Sequence, residues 1–333
     1  MLRPALPCSS RPFAVRVTVL ASVIVLSACA SPDTPGSAPS TGSSTSRATT
    51  ARPDTSSRPA GSASSPAAVT TSTGNAAPAP GAKAPAGYAW QASPSSTSVQ
   101  VATVDGGRAS LLWMDPTRLR FRFVPGFQVP EGSPATTADK NPSTWVPRMV
   151  AAFNSGYKLS DHVGGYYYLG RTVAPLRTGL ASMVLRTDGS LAIGVWGRDI
   201  AMTPDTLMVR QNLPPLVLGG VSQASPTDPL RKWGIPTRNQ PLQNRSALGR
   251  LADGSFVFVY AHSVIASELA QILVKAGVQE AIALDMNVSW PTGFVYTHTG
   301  GGVVGAKINY WTVRPPSTYL TRYKKDFIAV EGV

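Results

Sequence analysis

From residue 99 onward, apolar and polar positions alternate mostly with a period of two, the signature of strands with one face on a core and one in water. Val99 to Val104 and Ala109 to Met114 predict a strand pair, with Asp105-Gly106-Gly107 as the turn between them. Leu119 to Phe123 alternates strictly, arginines on one face, as on a half-exposed antiparallel strand. Val150 to Phe153 is a short buried run, and Ala181 to Leu185 with Leu191 to Val195 brackets the hairpin signal Thr187-Asp188-Gly189-Ser190. Leu216 to Leu218 follows a proline pair that bars an earlier start, and Phe256 to Tyr260 follows the turn Asp253-Gly254. Phe294 to His298, Tyr310 to Val313 and Phe327 to Val330 complete the predicted strands, while Val129 to Pro142 and Val221 to Gln240 read as loops. One stretch has helical spacing: Leu269, Ile272, Leu273 and Ala276 recur on one face, with Ser267 to cap the start and Gly277 to close the end. It leads into the apolar run Ala281 to Leu284, a buried strand ending at Asp285. The pattern predicts an α+β fold, a mixed and mostly antiparallel sheet with few helices, in a single domain over 87–333.

The first residues follow a different rule. Arg3, Arg11 and Arg16 precede the apolar stretch Val17 to Leu26, which is shorter than the roughly 20 residues of a membrane span. The segment Leu26-Ser27-Ala28-Cys29 resembles the lipobox of bacterial lipoproteins. That resemblance implies a signal peptide over 1–28, acylation of Cys29 with diacylglycerol and a third, palmitate-type chain, and an exported protein held to the extracytoplasmic side of the cell membrane. Residues 29–86 are Ser, Thr, Pro, Ala and Gly with almost no large apolar residue, which predicts a disordered tether. The only other cysteine, Cys8, lies in the segment to be removed, so disulfides, thiol catalysis and cysteine metal sites are excluded.

The 333-residue chain carries 30 basic and 17 acidic residues, a formal net charge of +13, which favours anionic surroundings. Nucleic acid is not an expected partner, because the basic residues are spread singly and no binding motif is present. For an exported protein the fitting anions are phospholipid headgroups, phosphate-containing wall polymers and glycosyl phosphates. His162, His262 and His298 lack the spacing of a zinc site, no phosphate loop or dinucleotide fingerprint occurs, and no Gly-x-Ser-x-Gly elbow supports a serine hydrolase. No metal site and no cofactor are expected, with a divalent cation left open. Asp285, at the end of a helix-fed strand, is the main candidate for chemistry; the same spacing fits a carboxylate that caps a turn or pairs with an arginine. Asn154, in Asn154-Ser155-Gly156, could orient a sugar hydroxyl or phosphate, or simply close a turn. Tyr166, Tyr167 and Tyr168 suit a sugar-stacking platform or ordinary strand packing. Arg245 offers a planar fork for phosphate.

The order of these pieces carries more than any one of them. It runs from a strand ending at Asn154, through Pro215-Leu216-Val217-Leu218-Gly219-Gly220, to Arg245-Ser246-Ala247-Leu248-Gly249, the Asp253-Gly254 hairpin, the helix and Leu284-Asp285. This succession resembles the phosphodiester glycosidase family over roughly Met149 to Tyr296. The resemblance implies a hydrolase of glycosyl phosphodiesters in the cell envelope, with Asn154, Arg245 and Asp285 lining the cleft; Asp285 and Arg245 are the catalytic candidates, and Asn154, Gly156, His262 and Asn287 the candidates for binding a carbohydrate or glycosyl-phosphate substrate. Two departures stand out. The family has three glycines and a serine after the Leu-Asp pair, where this chain has Met286-Asn287-Val288-Ser289-Trp290, and His262 stands where the family has an aspartate. Bulk at glycine positions reshapes any ligand surface. The alternative is a non-catalytic envelope lipoprotein that binds anionic glycans or wall polymers.

Overall fold

The computed structural model describes residues 81–333; the expected signal peptide, Cys29 and the part of the expected tether before residue 81 lie outside them. The strands in chain order are β1 (Gln91–Ser93), β2 (Ser96–Val104), β3 (Ala109–Met114), β4 (Leu119–Val124), β5 (Met149–Asn154) and β6 (Tyr166–Tyr168). Then come β7 (Arg171–Ala174), β8 (Ala181–Arg186), β9 (Leu191–Val195), β10 (Thr206–Gln211), β11 (Val217–Leu218) and β12 (Val221–Ser222). The last are β13 (Gln243–Leu251), β14 (Phe256–Val264), β15 (Val278–Met286), β16 (Gly293–Thr299), β17 (Gly302–Lys307) and β18 (Phe327–Gly332), with helix α1 (Ala266–Lys275) between β14 and β15.

They build three sheets: β1-β2-β3-β14-β13-β15-β11-β12, β7-β6-β10-β8-β9 and β17-β16-β5-β18-β4. The fold is α+β and mostly antiparallel. Parallel pairing among the described residues is confined to the single bridges Val129–Lys325 and Trp196–Ile200. Alternation along the strands sends one face of each sheet into a shared core: Leu112, Leu248, Phe258 and Leu284 from the first, Met183, Met208 and Tyr166 from the second, Phe121, Phe123 and Phe153 from the third. Aromatic contacts lock the seams. Phe153 stacks on Phe258 at 4.8 Å, and Phe123 meets Tyr168 edge-on at 5.0 Å. Each such side chain contributes about 1.5–3 kcal/mol by leaving water. Tyr166 and Tyr168 are therefore core residues rather than a binding platform.

The outer face of the first sheet is covered by α1, whose Leu269, Ala270 and Leu273 pack against Ala247, Val259 and Ala281. Ala82 and Ala84 lie against the same cluster. Strand β13 sits between β14 and β15 and is antiparallel to both, so the β14–α1–β15 connection crosses over and returns the chain in its original direction. Gly277, at φ +82°, takes the left-handed setting that ends the helix. Ser267 is not the cap. Ile265 precedes the helix, and the Glu268 carboxylate accepts its N–H at 2.9 Å, which leaves Ser267 inside the first turn. Tyr310 to Val313 form a turn and not a strand, with Tyr310 85 % exposed, because Asn309 takes the next N–H groups: its Oδ1 accepts that of Trp311 at 2.9 Å and its carbonyl that of Thr312 at 3.2 Å.

Candidate functional site around Asp285

The register of β13 against β15 slips near its end: Ala247 faces Ala283 but Arg245 faces Met286, so β15 holds one residue more than its partner there. Such a bulge breaks the alternation locally. Ala283 and Met286 both pack on the α1 side and Leu284 in the central core, while the Asp285 side chain goes to the seam where the three sheets meet. Asp285 is 4 % exposed. Its Oδ1 accepts the Met286 N–H at 2.7 Å, and its Oδ2 accepts the ammonium of Lys325, itself 2 % exposed. The next residue, Asp326, accepts Arg210 Nε at 3.0 Å, and Arg210 also donates to the Tyr157 carbonyl. Lys325 and Asp326, just before β18, thus tie the ends of β15 and β10 through two buried ion pairs. Burial raises the Asp285 carboxyl above its usual range; Lys325 and the Met286 N–H oppose that shift, and Asp326 adds to it.

Behind Asp285 lies a closed hydrogen-bond set. Ser246 Oγ donates to the Asp285 carbonyl at 3.1 Å and accepts both the Asp285 N–H at 3.3 Å and the Asn154 amide at 2.9 Å. Asn154 Oδ1 accepts the Thr292 N–H at 2.9 Å. Asn154 therefore joins β5 to the Asp285 strand, with its side chain fully used and 1 % exposed. In front of Asp285 a cleft of about 140 Å3 opens, lined by Tyr157, Lys158, Asp161, Trp290 and Lys325 as well as Asp285 itself. Asn287 lines it too, at φ +149°, a setting rarely taken by side-chain-bearing residues. Its amide oxygen holds it there by accepting the Ser289 and Trp290 N–H groups at 2.7 and 2.8 Å. Backbone strain of this kind clusters at functional sites.

The other expected residues lie elsewhere. Arg245 is 5 % exposed and donates from Nε to the Val264 carbonyl at 3.2 Å and from Nη1 to the Trp233 carbonyl at 3.0 Å. It lines a separate cavity of about 70 Å3 beside Asp228 and Trp233. Tyr157, whose hydroxyl donates to the same Trp233 carbonyl at 3.3 Å, feels the charges of both Arg245 and Asp285. The arginine and the aspartate are not brought into one cavity. Burial holds the Arg245 guanidinium below its usual range. His262 stacks on Trp311 at 4.1 Å and is kept below the usual imidazole range by burial and by Arg108. It does not line the Asp285 cleft. Gly156 is where it is for space: a Cβ would stand 2.6 Å from both amide heavy atoms of Asn212.

Sequence reasoning missed Lys325, Trp290, Lys158 and Asp161. The run Lys324-Lys325-Asp326 ahead of an apolar strand reads as a solvated turn, and its one usable signal is that a buried Asp285 needs a cation. A larger cavity, about 580 Å3, lies along α1 and is lined by Tyr88, Ile272 and the exposed pair Arg108–Glu268. Its charges meet each other in solvent, whereas the Asp285 cleft has a buried ionisable pair at its floor, the setting in which a carboxylate is tuned for chemistry.

No family model matches this chain, and no curated protein does. Among solved structures it is similar to the catalytic domain of zebrafish N-acetylglucosamine-1-phosphodiester alpha-N-acetylglucosaminidase, auto-inhibited by its pro-peptide, at 17% identity and a TM-score of 0.42 over 74% of this chain and 88% of that one. A hypothetical protein from Synechocystis follows at 12% identity and 0.39, over 71% of this chain and 62% of that one. A Burkholderia pseudomallei protein described as exported is 11% identical with a TM-score of 0.33, over 72% and 75%. The likeness is a distant one of fold. Among the described residues no group of three or more His, Cys, Asp or Glu side chains is arranged to hold a metal ion, and no helix is long and apolar enough to cross a membrane.

Proposed function

We propose that the chain is a hydrolase of glycosyl phosphodiesters acting at the Asp285 cleft. The observation that carries the reading is a buried carboxylate, fixed by Lys325 and by its own backbone, at the floor of a cleft that also holds a second carboxylate, Asp161, and a second ammonium, Lys158. A phosphate ester leaves as a stabilised anion, so the bond to the anomeric carbon breaks with little proton donation. Asp285 stabilises the oxocarbenium-like transition state, Asp161 takes a proton from the attacking water, and Lys158 and Lys325 offset the charge on the departing phosphate. Arg245 holds the Val264 and Trp233 carbonyls in place and takes no part in the chemistry. Acylation at Cys29 would put this activity in the cell envelope; a Cys29→Ala protein recovered in the membrane fraction as fully as the parent would refute that placement.

One observation favours a second reading, an envelope protein that binds anionic glycans without turnover: both carboxylate oxygens of Asp285 already accept hydrogen bonds. A panel of sugar-1-phosphodiesters separates the two. Release of reducing sugar by the purified protein supports hydrolysis, and saturable binding with no sugar released supports the binder.

A further inference from the structure

Trp290 stands at the rim of the cleft, its backbone N–H fixed by Asn287 Oδ1 at 2.8 Å. Three cations gather on its indole: Lys324 Nζ lies 4.9 Å from the ring centre, Lys325 Nζ 5.4 Å and Arg314 Cζ 5.5 Å. An indole face attracts a cation, yet each of these charges repels the other two across the same few ångströms, so the ring alone does not account for three. Lys325 is neutralised by Asp285. Among the described residues neither Arg314 nor Lys324 has a carboxylate within ion-pair distance, and Arg314 Nε is buried with no hydrogen-bond partner. Both side chains are half-buried and so are accessible without being free in solvent. What the cluster lacks is an anion.

We infer that Arg314 and Lys324, held on Trp290, form a subsite for a second phosphate of the substrate, beyond the phosphodiester that is cut. The inference rests on the cleft being a glycosyl phosphodiester site, and it adds the class of substrate: a chain in which phosphodiesters repeat. Inside the cleft Lys158 and Lys325 serve the scissile phosphate, while Arg314 and Lys324 meet the next one along at the rim. The planar guanidinium fork suits a phosphate oxygen. Recession of both cations against the indole favours a flexible chain over the flat surface of a bilayer.

The test is calorimetric binding of the purified full-length protein, at low salt, to poly(glycerol phosphate) oligomers, to glycerol 1-phosphate and to vesicles of anionic phospholipid. The oligomer is expected to bind at least about tenfold more tightly than the monomer, because two linked anions occupy two sites. Arg314→Gln with Lys324→Gln is expected to remove that advantage, Lys324→Glu to remove more, and Lys275→Gln, far along α1, to leave it intact. Equal binding of monomer and oligomer, undiminished oligomer binding by the double variant, or binding to vesicles alone would each overturn the subsite. Oligomer binding that depends on both cations, with no sugar released from any substrate, would uphold the subsite and refute hydrolysis. Hydrolysis with no preference for a second phosphate would do the reverse.

Discussion

Replacing Lys325 with Met tests the buried pair on which the site is built. The substitution keeps most of the side-chain volume and removes only the charge. Asp285, 4 % exposed, would then hold its carboxylate with one backbone N–H for support. Breaking a buried pair from one side costs about 3–5 kcal/mol, a factor of roughly 150 to 4,000 in the unfolding equilibrium. With a urea dependence of about 1–3 kcal/mol per molar, the unfolding midpoint at pH 7 should fall by more than about 1 M. Lys324→Met, half-exposed and without a carboxylate partner, should stay within about 0.5 kcal/mol of the parent. The penalty must also depend on pH. An acid whose folded pKa exceeds its unfolded value contributes stability that is fully present below the unfolded value and is lost as pH rises through the folded one. In the Met variant the Asp285 carboxyl rises further, so the cost shrinks as pH falls and grows as pH rises through the raised folded values. Adding Asp285→Asn should recover most of the loss, since two neutral groups then face each other. Equilibrium urea titrations followed by circular dichroism measure all of this. A single Lys325→Met variant within about 1 kcal/mol of the parent at pH 7, or a double variant no better than the single, would refute the reasoning.

Two further outcomes follow from the same geometry. If ionised Asp285 is needed for turnover, the acidic limb of the pH–rate profile lies above 3.8, because burial raises this carboxyl, and it moves to higher pH in Lys325→Met, because the opposing cation is gone; a limb at or below 3.8 that ignores residue 325 would contradict this. Arg245→Lys should cost about 1–3 kcal/mol of stability, since one ammonium cannot span the Val264 and Trp233 carbonyls, while leaving kcat unchanged in the folded protein; a large drop in kcat with stability intact would return Arg245 to the chemistry.

Much of the sheet was legible because it is written locally. Period-two runs such as Leu119 to Phe123 became β4, the Asp253-Gly254 turn joined β13 to β14, and the helical spacing ending at Gly277 became α1. Tyr310 to Val313 has strand-like residues, but Asn309 captures the Trp311 and Thr312 N–H groups and turns the chain, and only the folded chain shows which polar group wins. The site was harder to read for the same reason. Arg245 and Asp285 sit almost opposite each other in the ladder, yet the slip between β13 and β15 turns their side chains into different cavities. No alternation pattern reports a bulge. Lys325 is brought to Asp285 only by the meeting of three sheets, and a lysine in a charged run before a strand looks solvated until that meeting is known.

The central claim is that Asp285 acts on a glycosyl phosphodiester. Its most direct test is the rate of sugar release by the parent and by Asp285→Asn, an isosteric change, with the unfolding midpoint of each recorded alongside. The account predicts measurable release by the parent and a loss of about a thousandfold in the variant when it is assayed folded, below an unfolding midpoint that falls because Lys325 is left buried without its partner. Release by the folded variant at the parent's rate would contradict it.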